Sequence, residues 1–316
     1  MLEPMHFWGK ASPASNEEDL SQSHPLIFHS LDVAAVFEAL LESDRTFLDV
    51  LTTAFKSPAA RIIRPLTALV ALHDIGKVSR KFQAKSEDAW PPMLGPCSSS
   101  LRVPYDHAAG SAELLLKTLQ DLVAPFFDDV GIEERTALML PIAYHHGKPQ
   151  DRHPTGKSSL VWGDAENARA VAAAILAAVK PKRITPLPQI GETAAKSLSW
   201  RLSGLVSLAD WIGSSTDFFR YRNAVDFVDA REYWLKVART QTQIALTSLR
   251  IAQAQPNPKA NFSELFKTTW EPSAAQSLCG DLSLTPRPTL VFIEDVTGGG
   301  KTESALLLAQ RMRFCR

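Results

Sequence analysis

His73 and Asp74, within Ala71-Leu72-His73-Asp74-Ile75-Gly76-Lys77, set a neutral imidazole beside a hard carboxylate inside an apolar run. Such a doublet suits a divalent cation, since imidazole and carboxylate oxygen together serve first-row transition metals. Ile62, Leu66 and Leu69 recur at helical spacing before it, so a helix across residues 57–82 turns His73 toward the core. Asp74 then lies about 100° round the helix, at the rim of the same face. A buried aspartate needs a cation, and Lys77, one turn on, is the nearest in the sequence. Alone, the doublet equally fits a core histidine paired with a surface carboxylate.

The other histidines separate these readings. The chain carries His6, His24, His29, His73, His107, His145, His146 and His153, several in apolar, helix-like surroundings where a solvated imidazole has no place. Pro25 suits a first helical position, and the helix expected from there to residue 41 has a stripe of Leu26, Val33, Val36, Phe37 and Leu40 that includes His29. His24 and Asp32 flank His29 and could orient a ligand's second nitrogen. Pro, Gly and Ser make residues 90–100 an exposed loop. Asp106 can cap a helix starting at His107, and Ala108, Ala109, Gly110, Ser111 and Ala112 leave room for another backbone. A helix over residues 136–146, kinked at Pro141, would end at His145 and His146 with Gly147 as its cap, placing two imidazoles at the negative end of the helix dipole. Further helices follow over residues 165–179 and 200–212, the second holding Asp210 among Leu205, Val206 and Leu208, an inward acid that again needs a cation.

After Gln255-Pro256-Asn257-Pro258, which reads as a linker, the pattern changes. Thr289-Leu290-Val291-Phe292-Ile293-Glu294 is a continuous apolar run suited to a parallel strand, followed by Thr297-Gly298-Gly299-Gly300-Lys301-Thr302 and a helix over residues 303–312. Strand, glycine loop and helix make a phosphate cradle in which backbone amides and Lys301 meet nucleotide phosphates and Thr302 meets magnesium. Asp295 stands where the strict motif has glycine, so the match is to the looser helicase form. A nucleotide fold needs more strands than the sequence supplies before Arg316. A weakly ordered or improvised tail, without ATP hydrolysis or translocation, is therefore expected.

With 316 residues the chain has room for roughly two domains, since single cores stop growing near about 250 residues. Lys plus Arg equals Asp plus Glu, 34 each, so no global field attracts a polyanion. A local one exists: between Lys56 and Lys85 stand Arg61, Arg64, Lys77, Arg80 and Lys81, with Asp74 the sole acid. Three widely spaced cysteines argue for a reducing compartment and against a thiolate zinc site. Residues 1–20 are polar rather than a leader and no run approaches a membrane span, so a cytoplasmic protein without membrane contact is expected.

Taken together, His24-Pro-Leu-Ile-Phe-His29-Ser-Leu-Asp32-Val, His73-Asp74-Ile-Gly-Lys77, Asp106-His107-Ala-Ala-Gly, Tyr144-His145-His146-Gly147 and Leu208-Ala-Asp210-Trp211 resemble the HD nuclease domain of the CRISPR-associated helicase-nuclease of type I systems. Glu271-Pro-Ser-Ala-Ala-Gln276 looks like the adenine-reading glutamine motif of superfamily-two helicases, and the glycine loop like their first phosphate motif. The resemblance implies an all-α HD-domain fold over residues 1–253, a linker with the glutamine motif over 254–288, and over 289–316 the truncated beginning of a RecA-like α/β helicase domain. It implies a metal-dependent nuclease acting on single-stranded DNA opened by an RNA-guided surveillance complex (Cascade). One ion would be held by His29, His73, Asp74 and Asp210, and a second by Asp74, His107, His145 and His146, with Lys77 on the scissile phosphate. Manganese, iron, nickel or cobalt suit such ligands better than magnesium. ATP and magnesium would be held by Gln276, Gly298, Gly299, Gly300, Lys301 and Thr302 in a complete helicase. An HD phosphohydrolase acting on nucleotides or cyclic dinucleotides would use a similar cluster and is the alternative.

Overall fold

A computed structural model describes residues 4–12, 22–146, 160–179, 186–251, 261–284 and 289–312. The chain divides into two units, Met1–Ala252 and Gln253–Arg316.

The first unit is built around α1 (Leu26–Ser43), which is buried on nearly every side, from Leu26 through Phe37. A helix with apolar residues all round belongs at the centre of a domain. Burying side chains such as Phe28, Leu31 and Phe37 stabilises the fold by about 1.5–3 kcal/mol each. The chain continues through α2 (Arg45–Phe55), α3 (Ala60–Val70), α4 (Arg80–Gln83), α5 (His107–Glu113), α6 (Gln120–Val123), α7 (Ile132–Ala143), α8 (Asp164–Val179), α9 (Glu192–Gly213), α10 (Ala230–Tyr233) and α11 (Arg239–Ser248). Helices α3, α8, α9 and α11 pack on α1, and α7 lies along α9. Pro65 stands inside α3, and residues 90–100 hold only short 3-10 turns.

Two features of the sequence reading change here. The helix expected through His73 and Asp74 ends at Val70, and a turn leads into a 3-10 segment, Ile75–Val78. The Val70 carbonyl, which the Asp74 amide would take in a longer helix, accepts instead from the amide of His73 at 2.9 Å and from its ring at 3.0 Å. Likewise α7 stops at Ala143, so His145 and His146 lie in the turn beyond it rather than in its last turn. Gly147, His153 and the linker 255–258 lie outside the described residues.

The N-terminal stretch, which shows no element to periodicity, forms a hairpin. Strand β1 (Trp8–Ser12) pairs antiparallel with β2 (Gln22–Pro25), with a bulge between Trp8 and Lys10, and Pro25 precedes the first helical residue.

The second unit contains α12 (Phe262–Phe266), α13 (Ala274–Asp281) and α14 (Lys301–Met312), with α13 against α14. The strand expected at residues 289–294 is absent: Leu290 and Phe292 are about four-fifths exposed, at 79% and 80%. Among the described residues of this unit no strand lies beside them to take their backbone hydrogen bonds, and a lone strand is not stable. Ser273 and Gln276 form a capping box at α13, and the Gln276 amide nitrogen reaches the Gly300 carbonyl at 3.4 Å. Gly298 and Gly300 take positive φ, and Lys301, first residue of α14, donates to the Asp295 and Val296 carbonyls. Thr302 follows it on the first turn of α14.

Candidate metal centre

The seven predicted metal-binding side chains are delivered by five separate segments. His29 comes from the second turn of α1, His73 and Asp74 from the turn after α3, and His107 from the first residue of α5. His145 and His146 come from the turn after α7, and Asp210 from the last turn of α9. All converge. His29 Nε2 lies 2.9 Å from Asp74 Oδ2 and 3.5 Å from Asp210 Oδ1, and His73 Nε2 lies 3.3 and 3.8 Å from the same two oxygens. On the other side, Asp74 Oδ1 is 3.4 Å from His107 Nε2 and 3.8 Å from His145 Nε2. Asp210 Oδ2 is 4.0 Å from His145 Nε2 and 3.9 Å from His146 Nδ1. Each aspartate therefore turns one oxygen to each group of imidazoles.

Local structure fixes the imidazoles. The rings of His73 and His145 lie just past helix ends, where carbonyls lack helical partners. Each puts its Nδ1–H on the carbonyl three residues back, Val70 at 3.0 Å and Ile142 at 3.1 Å, which leaves the Nε2 lone pair facing the acids. The turn carrying Asp74 is tied to its surroundings by Gly76, whose N–H donates to Ser111 Oγ and whose carbonyl accepts from Tyr105 OH, both at 2.9 Å. Ser207 of α9 donates to the His145 carbonyl.

Burial sets the charges. It holds His29 well below the usual histidine range, lowers His107 to about 4 and lowers His145 to about 3, so these rings are neutral at pH 7, the form that ligates. Burial alone would raise Asp74, but the ammonium of Lys77, 2.6 Å from Oδ2, holds its carboxyl well below the usual range. The fit to divalent metal is direct. His73 Nε2, Asp74 Oδ1, His107 Nε2 and His145 Nε2 are buried, point at one another and have no hydrogen-bond partner. Around two carboxylates, neutral imidazoles and unpaired lone pairs are what a cation relieves. Two sets have ligand atoms that all lie within 4.8 Å of one another: His29, His73, Asp74 and Asp210, and Asp74, His107, His145 and His146.

His24 and Asp32 depart from expectation, and Lys77 stands beside the cluster. Lys77, expected on a phosphate, is only 5% exposed, with its ammonium on Asp74 and on the Gly9 carbonyl at 3.2 Å. His24 and Asp32 do not orient a ligand. His24 Nε2 lies 2.9 Å from Asp32 Oδ2, Tyr233 OH donates to the same carboxylate, and the Arg222 amide donates to His24 Nδ1, so they close their own buried network.

These imidazoles yield a pH dependence. An unfolded histidine protonates near pH 6.5, whereas folded His107 resists to about 4 and His145 to about 3, so between these values the unfolded chain binds more protons. The metal-free protein should lose stability steadily as pH falls from about 6.5 toward 4. Urea midpoints in EDTA at pH 7.5, 6, 5 and 4.5 check this, and the decline should be shallower in His145→Gln. Equal slopes in the two proteins would count against it.

A helical bundle that brings a His-Asp doublet, outlying histidines and a distant aspartate onto one point defines an HD-type metal-centre protein. Residues 8–219 match the family described as "Cas3, HD domain". The chain belongs to that family. It is 28% identical to the CRISPR-associated endonuclease/helicase Cas3 of Escherichia coli (strain K12), an alignment covering 97% of this chain and 36% of that protein. The chain spans about a third of the length of the curated relatives it matches. The fold matches the crystal structure of the Thermus thermophilus Cas3 HD domain in the presence of Ni2+, with TM-score 0.52, 23% identity, and coverage of 78% of this chain and 90% of that one. It also matches a chain in a CRISPR RNA-guided surveillance complex described as pre-nicking, with TM-score 0.58, 24% identity, and coverage of 98% and 35%.

Sequence reasoning missed the hairpin. Gly9 presses its Cα onto α1 so closely that an added Cβ would stand 3.1 Å from His29 Cβ, and nothing in the spacing of residues 1–20 signals that contact.

Proposed function

We propose that this protein is a metal-dependent nuclease that hydrolyses phosphodiester bonds of single-stranded DNA, using two divalent ions, in type I CRISPR interference. The observation that carries the reading is the division of the Asp74 oxygens between two imidazole groups. Oδ2 faces His29 and His73 while Oδ1 faces His107 and His145. Ions of the manganese, iron, nickel or cobalt type, when bound, would polarise the phosphate and lower the pKa of an attacking water.

The chain's own residues do the rest. His29, His73, Asp74 and Asp210 make the inner set, fully enclosed, and Asp74, His107, His145 and His146 the outer one. His107 and His146 have side chains 22% and 46% exposed, so the outer set faces the side from which a strand arrives. Lys77 acts through Asp74, holding it ionised and in place.

The surveillance complex as partner is supported by the fold match to a chain of such an assembly. Cytoplasmic location follows from that role, and no helix among the described residues is long and apolar enough to cross a membrane. In a longer chain with a complete helicase lobe, Gln276, Gly298, Gly299, Gly300, Lys301 and Thr302 would hold ATP and magnesium. The contact of Gln276 with Gly300 supports that pairing.

The test offers the protein two substrates with manganese or nickel: a single-stranded oligodeoxynucleotide, and a panel of nucleotides and cyclic dinucleotides. Metal-dependent shortening of the oligonucleotide, abolished by EDTA, is expected. Phosphate release from nucleotides with DNA left intact would refute the proposal.

A further inference from the structure

The two aspartates of the centre are not held alike. Asp74 has the Lys77 ammonium 2.6 Å from its Oδ2. Among the described residues no lysine or arginine forms an ion pair with Asp210, although it too is buried. What it has is a hydroxyl. Ser214, the residue that follows α9, donates through Oγ to Asp210 Oδ1 at 3.0 Å. Its amide donates to the Asp210 carbonyl at 2.8 Å, so Ser214 keeps helical register with Asp210, and the two side chains, four residues apart, lie one above the other.

The end of α9 that carries both residues is seated on α1. A Cβ at Gly213 would stand 3.0 Å from the Cα and the nitrogen of Val33, so the two backbones touch there. Val33 lies one turn beyond His29 on α1, and Asp210 lies about one turn before Gly213 on α9. The separation of His29 from Asp210 is thereby fixed by backbone, and what remains soft is the rotation of the Asp210 carboxylate about its last torsion. That rotation matters. Oδ1 lies 3.5 Å from His29 Nε2 and 3.8 Å from His73 Nε2, whereas Oδ2 lies 3.9 Å from His146 Nδ1 and 4.0 Å from His145 Nε2.

We propose that Ser214 is a positioning residue of the metal centre, its hydroxyl holding the Asp210 carboxylate at the rotation that presents Oδ1 to the His29 and His73 side. A carboxylate oxygen accepts at more than one lone-pair site, so Oδ1 can keep the hydroxyl and still take a cation. Lys77 steadies Asp74 by charge, and Ser214 steadies Asp210 by a neutral hydrogen bond. Because Ser214 touches Oδ1, the ion it serves is the one among His29, His73, Asp74 and Asp210. Partners that orient a ligand from behind set metal affinity by about tenfold to a hundredfold. This assignment rests on the metal-centre reading above.

The experiment uses the full chain as Ser214→Ala and Ser214→Thr beside the unaltered protein. Manganese binding is followed by calorimetry and the fold by urea denaturation in EDTA. For Ser214→Ala the expected result is one manganese site weakened by about tenfold or more, with the other changed less and the urea midpoint nearly unaltered. The same weakening should persist in a His107→Gln background, where the outer set has lost a ligand, which assigns the loss to the inner set. Ser214→Thr, which keeps the hydroxyl, should bind manganese like the unaltered protein. Unaltered manganese affinity in Ser214→Ala would overturn the proposal, as would failure of threonine to substitute. So would a loss of both sites together with a fallen urea midpoint, the mark of a merely structural role. If the unaltered protein binds no manganese, the metal-centre reading falls and this one with it. If it binds manganese and Ser214→Ala matches it, only this one falls.

Discussion

Asp74→Ala should lower DNA cleavage by about a thousandfold or more and abolish tight binding of both ions. Among the described residues, Asp74 is the one side chain that belongs to both ligand sets, so its removal takes an oxygen from each. Groups that act as a unit lose nearly all their rate with any one member, which sets the size of the effect. The substitution also strands Lys77, which is buried with the Gly9 carbonyl as its remaining contact. Breaking a buried pair by removing one partner destabilises by about 3–5 kcal/mol. Asp74→Ala combined with Lys77→Met removes both charges and separates catalysis from folding. A double variant that melts like the unaltered protein but neither binds manganese nor cuts DNA is the expected result. Retention of cleavage in either variant would remove the centre from the chemistry.

Gly76→Val has the second largest expected effect, and it acts without touching a ligand. A Cβ at this position would lie 2.1 Å from the His107 carbonyl oxygen and 2.5 Å from the Ser111 nitrogen, both backbone atoms of α5 that cannot swing aside. Helix α5 would have to move off the 3-10 turn, drawing His107 from Asp74 and breaking the bond from the Gly76 amide to Ser111. Overpacking of this kind destabilises by about 3 kcal/mol and sometimes more. The outer ligand set should weaken before the inner one. Urea denaturation and manganese titration check both parts, expected as a lower midpoint and one weakened site. Gly110→Ala is the milder comparison, because its obstacle is the Tyr105 side chain, whose loss of the bond to Gly76 costs about 1 kcal/mol. A Gly76→Val protein as stable as the original would show that α5 and the turn are not in this close contact.

The ligands could be read in the sequence because a histidine or aspartate inside an apolar run has no structural use that water would tolerate. His29, His73, His145 and Asp210 are all such misfits, and all are buried. The small residues after His107 likewise announced the close approach that Gly76 makes. The ends of the helices could not be read. Apolar residues continue from Val70 through Val78 as though α3 went on, and only the bonding of the His73 ring to the Val70 carbonyl shows where it stops. The hairpin was illegible for a different reason. Its strands are five and four residues long, and their meaning lies in contacts with Gln83, Lys77 and His29 far along the chain. The apolar run at residues 289–294 misled in the opposite direction: its composition is that of a strand, but a strand is a relation between segments.

The tethering of His73 and His145 to the carbonyls of Val70 and Ile142 has a consequence for how the centre opens. Unwinding the final turn of α3 or α7 would free the ring that turn had been steering, so fraying at a helix terminus would also loosen the hold on a metal bound there. The orientation of both imidazoles is thus borrowed from helices whose own stability lies deep in the bundle.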